Sequence, residues 1–314
     1  MSCPRQFVLS FAFLLFAGPF ALLAQNNSII DQARLFRESN TAAALRDDPL
    51  EPTAAPVDDD SGSADDSMGV QQILKEQEKR PTFTISGGLS EIFTSNAALT
   101  RRDERHDVFF VADVSATWTP RLSPTVEADI GGRASVFRYV RTPELDFESL
   151  AAGAGITWSP ESLSGFSISA RYDLTQLLDT HGDHILLDND FTLNAQKVVI
   201  IGNAHAVTIG VTGSLDFSDP ISAQRHQLGA SANYHVQIAR DFSADLLWRP
   251  VVHYYEELGR SDFNNILSLT LRYRLNKYAD LSAFGSYGVN RSDSSAFDYE
   301  VFTTGAAVVL SLRF

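Results

Sequence analysis

The sequence predicts an all-β chain, an antiparallel up-and-down transmembrane β-barrel of about twelve strands, preceded by a signal peptide and an acidic N-terminal segment. Three observations carry this expectation. From Thr82 onward, segments of roughly 10–15 residues alternate apolar with small or polar side chains, which sends one set to each face of a strand. These segments outrun the five or six residues usual in soluble strands and match the ~9–11 that cross a bilayer at a tilt. The breaks between them alternate in length, short then long.

Residues 1–24 read as a secretory leader: Arg5 supplies the positive start, Phe7 to Leu23 form an apolar run, and Ala24 offers a small residue for cleavage. A membrane anchor fits less well, because Gly18 and Pro19 interrupt the run and Gln25-Asn26-Asn27 follow it in place of basic residues. The single cysteine, Cys3, lies before the apolar run. The mature chain is therefore expected to use neither disulfides nor a thiolate nucleophile. The formal net charge is −14, and both the N-terminal stretch and the strand-rich part are acidic. Phosphate would be repelled, which argues against nucleic acid as a partner.

Residues 25–80 are expected to be an acidic linker. "LRDDPLEPTAAPVDDDSGSADDS" lacks durable periodicity and has the composition of a disordered segment. A short helix is expected at 68–80, with Val70, Ile73 and Leu74 on one side and Pro81 as its stop. Such a helix would be a solvated lead-in, or would plug a pore or dock a periplasmic partner.

The barrel is expected over 82–314, with strands near 82–93, 107–119, 125–139, 147–159, 165–178, 187–199, 204–217, 225–238, 242–256, 263–275, 279–290 and 299–314. In the second, Val108, Phe110, Ala112, Val114, Ala116 and Trp118 share a face, opposite Asp113, Ser115 and Thr117, besides Phe109 and Val111. In the third, Val126, Ala128, Ile130, Ala134 and Val136 oppose Glu127, Asp129, Arg133 and Ser135. The eighth and tenth repeat the pattern, with Leu228 to Ile238 opposing Gln227 to Gln237, and Phe263 to Tyr273 opposing Asn264 to Arg272. Pro250 cannot donate to a ladder and predicts a bulge or local break in the ninth strand. The turn near Ile201–Asn203 is the least distinct boundary. In the last strand Val308, Leu310, Leu312 and Phe314 are apolar on every second residue.

"PRLSP", "PESLS", "ARD" and "LNKY" are short breaks, whereas "TSNAALTRRDERH", "LDTHGDHIL" and "RSDSSAF" are longer and more charged. Short periplasmic turns against long outer loops are expected of an outer-membrane barrel, and an even strand count returns both barrel ends to the periplasmic side. Trp118 and Trp158, in "TWTP" and "TWSP", each end a strand before a short turn. They are therefore expected to sit at one membrane interface, where amphipathic rings are favoured.

With its "VVLSLRF" ending, 82–314 resembles the bacterial outer-membrane β-barrels. In that class a C-terminal Phe preceded by alternating apolar residues marks the last strand for the barrel-assembly machinery. The resemblance implies that role for Val308, Leu310, Leu312 and Phe314, and lipid and that machinery as partners. "SEIFTSNAALT…DVFFVADVSATW" also looks like the first hairpin of β-barrel porins of Gram-negative envelopes, in which an Asn-containing first loop precedes a strand beginning with Asp.

The inward face is expected to line a pore with Glu127, Asp129, Arg133, Arg171, Asp173, Asp216, Asp245, Arg249, Arg272, Arg274 and Arg313. Mixed charges on a low-dielectric wall either pair or face each other across water and set selectivity. His181, Asp183 and His184 fall on an expected outer loop and read as a solvated tip before a metal site. His253 lies near the outer end of the ninth strand on the polar face, and reads as lumenal before catalytic. His205 and His226 fall on apolar faces near strand ends. No cofactor, metal or catalytic group is expected. The expected function is a porin-like passive channel for small hydrophilic solutes. The alternatives are a structural or export-associated barrel docking a periplasmic partner through 25–80, or an outer-membrane hydrolase using His253 or His184.

Overall fold

The computed structural model describes residues 29–36 and 81–314. Among these, twelve full-length strands form one antiparallel sheet: β1 (Phe83–Thr94), β2 (Asp107–Trp118), β3 (Val126–Tyr139), β4 (Phe147–Trp158), β5 (Phe166–Leu178), β6 (His184–Ile201), β7 (His205–Asp219), β8 (His226–Ala239), β9 (Phe242–Tyr255), β10 (Arg260–Asn276), β11 (Ala279–Ser292) and β12 (Tyr299–Arg313). Each pairs with the next in sequence, and β12 returns to β1 from Thr84↔Arg313 to Thr94↔Thr303, so the sheet is a closed barrel. A three-residue segment, Arg121–Ser123, folds back onto the start of β3 within the first short turn. Closure leaves no unpaired strand edge for lipid to meet.

The seam is tight. The backbone N–H groups of Thr82 and Phe83 both donate to the Phe314 carbonyl, at 2.8 and 3.2 Å, and Phe314 N donates to the Phe83 carbonyl at 2.9 Å. Pro250 leaves the register intact. The ladder between β8 and β9 skips Arg249 and Pro250 but resumes in phase at Val251↔Gly229, so the proline makes a local break without an extra residue. At the other indistinct boundary, β6 runs on to Ile201 and Gly202 turns the chain at φ +66°, a conformation that glycine adopts without a Cβ clash.

Leu89 and Leu228 expose 68 % and 69 % of their surface, and Phe110, Val114, Ile130, Leu269 and Phe302 share the same outward face. An apolar belt of this kind is untenable in water and natural in hydrocarbon. Among the described residues no helix is long and apolar enough to cross a membrane, so the crossing is made by strands. Trp118, Trp158 and Trp248 all face outward, as do Val308, Leu310, Leu312 and Phe314.

One element departs from expectation. Within the stretch read as an unstructured linker, residues 29–36 are helical. Ile29, Ile30, Gln32, Arg34 and Leu35 are buried, and Asp31, Ala33 and Phe36 are half-buried. A helix buried on all sides is one enclosed by protein, and here the enclosure is the barrel. The leader, the rest of 25–80 and the helix expected at 68–80 lie outside the described residues.

Candidate functional site: a charged lumen closed at its outer end

The register settles which side chains share the inner wall. Asp129↔Gly155, Gly155↔Arg171, Asp173↔Asp190, Asp190↔Asp216 and Asp245↔Thr270 are directly opposed pairs, and opposed residues lie on one face. The chain of pairs carries every lumenal candidate inward: Glu127, Asp129 and Arg133 on β3, Arg171 and Asp173 on β5, Asp216 on β7, Asp245 and Arg249 on β9, Arg272 and Arg274 on β10, and Arg313 on β12.

In the half of the lumen near the short turns the charges form a solvated cluster. Arg171 donates through Nε to both carboxylate oxygens of Asp173 at 2.9 Å, and its Nη1 pairs with Asp129. Gly153 and Gly155 lie opposite these groups, and a Cβ on either would collide with the Asp173 or Asp129 carboxylate. The glycines let the cluster lie flat on the wall. Arg133 approaches Asp113 at 4.0 Å, with the arginine side chain 56 % exposed, so this part of the lumen is wet. On the facing wall His235 Nδ1 lies 2.9 Å from Asp245 Oδ1, and Asn233 donates to the same oxygen.

The half near the long loops is filled. Phe109 stacks on Tyr139 at 4.7 Å and Phe137 on Phe147 at 4.1 Å, while Phe36 meets Phe137 edge-on. Ile29 and Ile30 share one buried cluster with these rings and with Ile92, Val111, Leu177 and Leu186. Leu35 packs on the other wall with Leu99, Ile266 and Val301. The helix therefore touches walls on opposite sides of the barrel. Each apolar side chain so buried contributes about 1.5–3 kcal/mol relative to exposure.

Polar contacts complete the fit. Arg34 Nη1 donates to the Ala223 carbonyl at 2.8 Å, and Nη2 to Asp216 Oδ2 at 2.9 Å and Asp188 Oδ1 at 3.3 Å. The Ser218 hydroxyl lies 2.8 Å from Asp188 Oδ1 and 2.7 Å from Asp216 Oδ1, within reach to donate to either carboxylate. Gln32 donates to the carbonyls of Asn96 and Ala97 in the first outer loop. Enclosure raises the pKa of Asp31, against the pull of Arg225, Arg34 and Arg260. A cavity of about 30 Å³ beside Asp31, His253, Tyr255 and Arg260 remains, enough for a water or two and for no solute.

Asp216, expected as a pore-lining charge, thus faces the lumen but is sealed against the plug's guanidinium. The alternation does not single out Arg34, Asp188, Arg225, Arg260 and Asp262 as lumenal groups. The sequence reading also passed over a usable signal: Phe109, Val111 and Phe137 are bulky apolar residues on the polar face, at the loop-side ends of their strands, where the helix packs.

The histidines do not converge. His181 is an exposed loop residue 3.5 Å from Asp179, His184 lies 3.9 Å from Asp219, and His253 is buried opposite Asp262. His205 bonds Tyr234 on the outer face at 2.7 Å, and His226 lies 3.7 Å from Glu256. Asn96 and Asp107, the pair behind the porin-like hairpin, tie loops: Asn96 donates to the carbonyls of Thr100 and Glu300, and Asp107 accepts from the backbone of Arg141 and Thr142.

No protein-family model matches the chain, and no curated protein is significantly similar to it. Among solved structures, the chain is similar to an outer-membrane channel from Pseudomonas putida F1, at 11 % identity and a TM-score of 0.54, over 74 % of this chain and 96 % of that one. It is also similar to a bacterial polysaccharide outer-membrane secretin, at 10 % identity and a TM-score of 0.45, over 73 % and 98 %. At these identities the likeness is one of fold.

Proposed function

We propose that this bacterial outer-membrane β-barrel is a porin-like passive channel for small hydrophilic solutes, with no catalytic step. The observation that supports the reading is the charge-lined half of the lumen, where Arg133 is exposed and Arg171, Asp113, Asp129 and Asp173 are partly exposed on a continuous inner wall. Facing charges of both signs in a twelve-strand lumen admit hydrated solutes and bias them by charge, without a tight binding pocket. Reconstitution of the folded mature chain into planar bilayers tests this. Stepwise currents are expected, and Asp129→Asn with Asp173→Asn should shift the reversal potential towards anions. If no current appears with the full chain and none after removal of residues 25–36, the channel reading falls. Residues 29–36 are engaged inside the barrel, so any docking of a periplasmic partner would belong to the rest of 25–80.

A further inference from the structure

We propose that residues 29–36 are an autoinhibitory plug, latched by Arg34 to Asp188 and Asp216, and that release of this latch opens the lumen. The inference rests on the channel reading and adds its regulation. The helix spans the outer half of the lumen: its isoleucines lie against one wall and Leu35 against the opposite one, so little room is left beside it. Among the described residues, Gln32 and Arg34 hold it by their side chains. No strand of the sheet pairs with it, and its hydrogen bonds include those to the loop carbonyls of Asn96, Ala97 and Ala223, to the Ser218 hydroxyl and to two wall carboxylates.

The chemistry of the latch suits a releasable contact. A permanent cork would be held at least as well by apolar side chains, because burying an ion pair costs desolvation that its attraction scarcely repays. Once one partner is lost, the other is left as an uncompensated buried charge, which favours hydration of the site over closure. A free helix of this length is marginal in water, so the displaced segment would not persist as a rigid obstacle. The first outer loop and the loop carrying Ala223 and Arg225 both grip the plug, which gives the outer surface a mechanical route to it.

Single-channel recording on the full mature chain tests the proposal. The unaltered protein should be closed most of the time, and Arg34→Ala should raise open probability by roughly tenfold or more, as loss of a buried pair shifts a two-state balance. A second variant guards against misfolding. With Cys3 in the leader, Gln32→Cys with Ala97→Cys gives a mature chain with one thiol pair; linking the thiols should hold the channel shut, and reduction should restore openings. Equal conduction by the unaltered chain and Arg34→Ala, with no effect of linking, would overturn the plug while leaving the channel standing. Silence of every form, including one lacking residues 25–36, would remove the channel reading, and the plug with it.

Discussion

Asp179 shows how a single carboxylate organises an outer loop. Its Oδ1 accepts from the backbone N–H groups of His181 and Asp183, both at 2.8 Å, while Gly182 takes a φ of +86° between them. These bonds, that from Asp183 foremost, hold the carboxyl below its usual range. The folded loop thus prefers the charged form. Its stabilising contribution is full above the ordinary carboxylate pKa and is lost as pH falls through the depressed value. Protection of the His181 and Asp183 amides, measured as exchange relative to the intrinsic rate at each pH, should therefore fall on acidification and stay independent of pH in Asp179→Asn, which no longer titrates. At this scale parity within a strand is local, so alternation assigned faces to residues such as Asp129 and Arg171, although Asp188 on β6 was not among the inward charges it marked. It did not tell that Arg171 meets Asp129, because that contact depends on register across β4, nor that Asp188 and Asp216 receive Arg34, because that partner comes from outside the sheet.

Strands were the most legible elements, and all twelve lie where the alternation placed them, because period-two patterning survives wherever one face meets lipid and the other water. The faces can be exchanged one residue at a time. Leu269 on β10 points outward and Thr270 points inward, opposite Asp245. Leu269→Arg puts a charge on the lipid side, at a cost of about 2–4 kcal/mol near the bilayer midplane, whereas Thr270→Arg stays on the inner face, beside the Asp245 carboxylate. Urea titration in detergent should show a much lower midpoint for the first substitution and little change for the second. The helix at 29–36 was illegible for a related reason. A short element whose polar residues, Asp31, Gln32 and Arg34, are interleaved with its apolar ones and meet protein carries no amphipathic signature, and an acidic neighbourhood of low periodicity disguised it as linker.

For the whole molecule, the ring explains both stability and solvent preference. Every strand is paired on both sides and an apolar belt faces outward. The folded chain should therefore need detergent to stay dispersed, and on unheated gels it should run apart from the boiled form. A chain that remained monomeric without detergent and showed a single position before and after heating would contradict the fold's reading as a membrane barrel. The enclosed helix also has a temporal consequence. Phe109, Phe137, Tyr139 and Phe147 surround residues 29–36 in the outer half, so the segment reaches its seat more readily before the cylinder is complete than after. The easier sequence is for the amino-terminal helix to settle among these rings while the sheet is still an open trough. The zipping of β1 onto β12 would then come last, with the helix already in its seat as the hoop is fastened.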